Sequence, residues 1–154
     1  MTEMTETPAK QFERFLAKYT PEMVRATKQS LTKMRKLVPG ATELVYDNYN
    51  ALVVGFGPGE RASEALFSIV PFPRWVTLCF LHGRGLADPH GLLQGSGSRV
   101  RHIRLETPAT LDRPEVLALI GEALLNAKKP IDPGQPRRMV IKSVSAKQRP
   151  RRPS

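Results

Sequence analysis

The stretch ELVYDNYNALVVGFGPGERASEALFSIVPFPRWVTLCFL, residues 43–81, decides the fold. Its apolar runs ELVYDNY, ALVVGF, EALFSIV and WVTLCFL are short and rich in β-branched and aromatic residues. GPGERAS and PFPR, both turn-forming, separate the later runs. That alternation predicts an antiparallel meander of four strands. Downstream, HGRGLADPHGLLQGSGS (82–98) is a long Gly-rich connection, and VRHIRLE (100–106) is a further strand. On that strand Arg101, Ile103 and Leu105 share one face, and Val100, His102 and Arg104 the other.

Helical spacing brackets the strands. Residues 1–8 are polar and expected to fray. Phe12, Phe15, Leu16 and Tyr19 then form one apolar stripe on a short helix. Thr20-Pro21 supplies an N-cap and a first helical position for a second helix, lined by Met23, Leu31, Met34, Leu37 and Val38 and ended by Pro39-Gly40. A third helix is expected over 112–128, with Asp112 as N-cap, Glu115 completing a capping box and Leu111 and Val116 as a hydrophobic staple. After IDPGQP, RRMVIKSVSA could add one more strand, with RPRRPS as a disordered end. The order predicts an α+β fold, an antiparallel sheet of about five to six strands with helices packed on one face. Residues 8–130 form the expected domain, and 131–154 a basic, partly disordered C-terminal extension.

Composition bounds the function. A chain of 154 residues, 40% hydrophobic, suits one domain with a core. No apolar run is long enough for a membrane span, and MTEMTETPAK lacks the features of a signal peptide. The single cysteine, Cys79, sits in an apolar run and reads as a small buried hydrophobe; a reducing cytoplasm is expected. The net charge is +10, but seven basic residues and no acid lie between Arg137 and Ser154, which leaves +3 for the rest. The basicity therefore belongs mostly to the tail, from Arg137 to Arg152. Weak, salt-dependent nucleic-acid association through it is one alternative function.

The segments ELVYDNYNALVVGFGP and FPRWVTLCFLHGRGLADPHGLLQGSGSRVRHIRL resemble the YdhG-like family, a domain of unknown function. The likeness spans residues 12–128, and its most specific part is the Gly-Leu-Leu, Gly-x-Gly and RHIRL portion. Arg99 departs from the lysine expected after the second glycine. The resemblance implies helices packed against an antiparallel sheet. It also implies iron handling as an alternative, because some members are described as frataxin-like iron chaperones. Such binding relies on an acidic helical ridge, whereas the second helix here carries Arg25, Lys28, Lys33, Arg35 and Lys36.

Several residue groups could carry chemistry. Gly95 and Gly97 could aim backbone amides at an anion, with Arg99 and Arg101 as charge partners. The same residues also read as a turn with arginines on a solvated face. His82, His90 and His102 with Asp88 could ligate a metal, yet they lack ligand spacing. Glu43 and Asp47, two pleats apart on one strand face, and Glu64 are formal acid/base candidates; solvated strand ends are the plainer reading. Ser63, Ser68, Ser96 and Ser98 show no nucleophile elbow. Tyr46, Asn48, Asn50, Trp75 and Phe80 could line a cleft on a sheet face, and Trp75 serves equally as a core or interface residue. The expectation is a non-enzymatic protein without a cofactor. It would bind a small ligand or a protein partner, as a monomer or homodimer, through Tyr46, Asn48, Trp75, Gly95, Gly97, Arg99 and Arg101.

Overall fold

A computed structural model describes residues 6–154. The expected fraying of residues 1–8 lies, for residues 1–5, outside the described residues. Pro8 already opens helix α1 (Pro8–Leu16), because the Thr7 hydroxyl accepts the Lys10 amide at 3.2 Å and caps it. Helix α2 (Pro21–Leu37) starts where Thr20-Pro21 predicts, with the Thr20 hydroxyl accepting the Met23 amide at 3.2 Å. Its buried face holds Met23, Leu31 and Met34, and also Thr27 and Ser30. Those two hydroxyls are satisfied by donating back to the carbonyls of Met23 and Ala26. Tyr19 bridges the helices to the sheet: its hydroxyl donates to the Pro71 carbonyl at 2.8 Å and accepts the Leu52 amide at 3.1 Å.

Among the described residues the six strands are β1 (Thr42–Asp47), β2 (Leu52–Gly57), β3 (Phe67–Pro71), β4 (Val76–Phe80), β5 (Arg101–Leu105) and β6 (Arg138–Val144), in the spatial order β5-β4-β3-β2-β1-β6. β1 to β4 form the expected four-stranded antiparallel meander, and the further strand β5 pairs antiparallel with β4. β6 corrects the wholly antiparallel expectation, since it pairs parallel to β1. The reason lies in the return path. After β5 the chain crosses the molecule through helix α3 (Pro114–Leu125) and docks beside the start of β1. There the Gln135 side-chain Nε2 donates to the carbonyls of Gly40 and Pro58. Gly40 takes φ +81°, and a Cβ there would strike the Asp132 carbonyl. A strand that begins at that end must run alongside β1, and crossovers of this length permit it.

Register defines two sheet faces. On the core face, Val45, Val54, Ile69, Leu78 and Ile103 form one cross-strand row, joined to Phe12, Leu31, Leu111 and Val116 in a single apolar cluster. Residues between them, such as Tyr46, Thr77, Cys79, His102 and Arg104, occupy the opposite face.

Two local expectations need correction. α3 begins at Pro114, not Asp112, and its N-cap residue Arg113 makes no side-chain capping bond. Residues Pro108–Asp112 instead form a 3-10 turn, and the Asp112 carboxylate accepts Lys33 of α2 at 2.8 and 3.0 Å. The C-terminal extension is not a disordered end. Arg151 is 5% exposed, the Ser145 amide donates to the Asp47 carbonyl, and the Arg149 amide donates to the Tyr49 carbonyl. β6 pairs with β1 from Arg138 to Val144, with an irregularity at Lys142, so this segment belongs to the same fold.

Candidate functional site

Glu43 and Asp47 do share one face of β1, as their spacing predicts, but both are fully buried. Arg35 grips Glu43 through two bonds at 2.8 and 2.9 Å, and Arg137 adds a third at 3.0 Å. Asp47 receives Lys18 at 2.7 Å and Arg151 at 3.0 Å. Burial works to raise the Asp47 carboxyl; the bonds from Lys18, Gln148 and Arg151 outweigh it and hold the group below its ordinary value. Carboxylates so enclosed have no geometry for proton transfer to a ligand. Ion pairing, not strand-end solvation, accounts for them.

The Gly-rich segment is a turn stitched to β5. Gly95 has φ +113°, and Gln94 pairs with His102 in an antiparallel bridge. The Arg101 guanidinium donates to the carbonyls of Gly97 at 2.6 Å and Val100 at 2.8 Å. Arg101 therefore serves the loop's own acceptors through its Nη1 nitrogen. Asp88 likewise turns inward: its carboxylate accepts the amides of Leu92 and Leu93 at 2.8 and 3.0 Å and orders the DPHG turn. Among the described residues no group of three or more His, Cys, Asp or Glu side chains gathers to hold a metal ion.

The aromatic set divides. Phe80 points into the core face. Asn48, beyond β1, accepts the Ser143 hydroxyl at 3.0 Å, which fixes the β6 side of the turn. Tyr46 lies half-buried on the opposite face, where burial pushes its phenol up. Trp75, also on that face, is the centre of a distinct arrangement. The Arg104 guanidinium sits 4.3 Å from its ring centroid, and the Phe72 ring lies 5.4 Å away. Beside this stack runs a groove of 370 Å³ floored by Val70, Thr77 and Cys79 and edged by Gln94 and His102. Burial pushes the Cys79 thiol up, partly offset by Ser68, so the thiol form faces the groove.

Sequence reasoning placed His102 and Arg104 on one strand face but did not join them to Trp75. The missing information is the register Thr77↔Arg104 and Cys79↔His102, a pairing between strands separated by a long loop. Arg99, Gly95 and Gly97 lie away from Tyr46 and Asn48, and Arg99 borders a different cleft together with His82. The described residues contain no helix long and apolar enough to cross a membrane. Comparison with protein-family models, with curated proteins and with solved structures gives no match.

Proposed function

We propose that the protein is a non-enzymatic, cytoplasmic binding domain of YdhG-like type whose small ligand lies in the groove beside Trp75. The stack of Arg104 on Trp75 carries this reading. An arginine held over an indole keeps N–H donors for a planar acceptor, and its side-chain entropy is already largely spent. The groove adds an imidazole and an amide at its edges, over a floor of one valine, one threonine and one cysteine. The ligand class is therefore a small carboxylate with an aromatic or aliphatic body.

Trp75 is the only tryptophan, so its fluorescence reports directly on the groove. Titration with a panel of aromatic and aliphatic carboxylates should shift its emission. Arg104→Gln should weaken the best binder roughly tenfold, the worth of one charge-assisted contact. If no carboxylate perturbs Trp75 at millimolar concentration, the reading fails.

A further inference from the structure

A second cleft lies at the other end of the sheet, where β4 runs out. Its volume is 560 Å³, within the range of small-molecule sites. Leu66, Phe80 and Leu86 supply an apolar floor, and Ala123 of α3 and Ala127 just beyond the helix form one wall. The rim is cationic: Arg99, Lys128 and Lys129 surround the mouth, and Glu64 is the one carboxylate lining it. Among the described residues none of the three cations makes an ion pair. The rim therefore keeps a net positive charge after Glu64 is counted. The carbonyls at the end of α3 add only about half a negative charge.

The opposite wall is held in place before any ligand arrives. The Arg84 amide donates to the Arg99 carbonyl at 3.0 Å, and the Leu86 amide to the Gly83 carbonyl at 3.0 Å. The Ala87 amide donates to both carboxylate oxygens of Glu122 on α3, at 3.1 and 3.3 Å. Gly83 is pressed against β5, where a Cβ would come within 2.6 Å of the Arg101 side chain. A preformed apolar slot with an uncompensated cationic mouth loses little entropy on binding.

We infer that this cleft binds an amphipathic carboxylate, with its apolar body over Phe80 and Leu86 and its head between Arg99 and the Lys128-Lys129 pair. An inorganic anion would leave the apolar floor hydrated, and a neutral apolar molecule would leave the cations unanswered. The site is separate from the Trp75 groove and does not depend on it.

Calorimetric titration of the full chain with decanoate, acetate and decanol tests the inference. Decanoate should bind, with acetate and decanol each at least tenfold weaker, since each lacks one half of the recognition. The triple variant Arg99→Gln, Lys128→Gln, Lys129→Gln should weaken decanoate tenfold or more and leave decanol unchanged. Ala127→Phe, which fills the slot and keeps every charge, should abolish decanoate binding. Trp75→Ala should leave it intact, which separates this site from the groove. No heat with decanoate at millimolar concentration overturns the inference. So does binding that survives Ala127→Phe, that ignores the loss of the three charges, or that disappears with Trp75→Ala.

Discussion

Neither carboxylate oxygen of Asp47 is left to water: one faces Lys18, and the other faces an Arg151 that is itself buried. Such a pair costs much desolvation, so its net contribution is modest, but removal of one member strands a charge. Arg151 would be that charge, and its Nε already has no partner among the described residues. Asp47→Asn should therefore destabilise the protein by about 3 kcal/mol near neutral pH, measured by urea unfolding. The unfolded carboxyl titrates near 3.8 and the folded one lower. The ion pairs thus contribute fully above about pH 4, and the contribution is lost as pH falls through the folded value. The variant's stability should fall less steeply than wild type below pH 4; equal slopes would show that Asp47 is not the group responsible. The sequence shows two carboxylates on one strand face, but their burial depends on cations up to 104 residues away.

Helix starts separate local from distant control. Thr20 caps α2 through a bond to an amide three residues on, inside one short segment, and the Thr-Pro pair announces it. Asp112 has the same local credentials, yet its carboxylate is drawn to Lys33, 79 residues away, and the helix starts at Pro114 without a side-chain cap. Thr20→Ala should cost about 1 kcal/mol, as loss of an N-cap does. Asp112→Ala should cost less than about 0.5 kcal/mol, because its ion pair is exposed and no cap is lost. Thermal unfolding of the two variants side by side checks the ranking. An Asp112→Ala loss equal to that of Thr20→Ala would restore Asp112 as the cap. Local grammar was sufficient where no long-range partner competed and misleading where one did.

Across the whole molecule, the C-terminal segment acts as a strap. β6 covers the edge of β1, Arg137 reaches Glu43 at one end, and Arg151 reaches Asp47 at the other. Several further tail cations also meet internal acceptors: Arg138 pairs with Glu60, Lys142 donates to the Glu60 carbonyl, and Arg152 donates to the Lys18 carbonyl. Truncation should therefore act in two steps. A chain ending at residue 146 keeps β6 and Arg137; it should remain folded with a lowered melting temperature. A chain ending at residue 136 exposes the β1 edge and strips both carboxylates of a partner, and it should aggregate or fail to fold. Size-exclusion chromatography and thermal melting distinguish the two. A well-folded monomer ending at residue 136 would show that the strap is dispensable.

Alternation and turn residues between Glu43 and Leu81 by themselves determined the meander, and helical spacing determined α1 and α2. These are nearest-neighbour properties: pleat, turn and helical face depend on residues a few positions apart. Only the tertiary structure decided that β6 runs parallel to β1, that Glu43 and Asp47 are buried ion pairs, and that Arg104 lies on Trp75. Each depends on which distant segments meet. That is set by the register of the sheet and by the path of the chain back across it, and no local pattern encodes either.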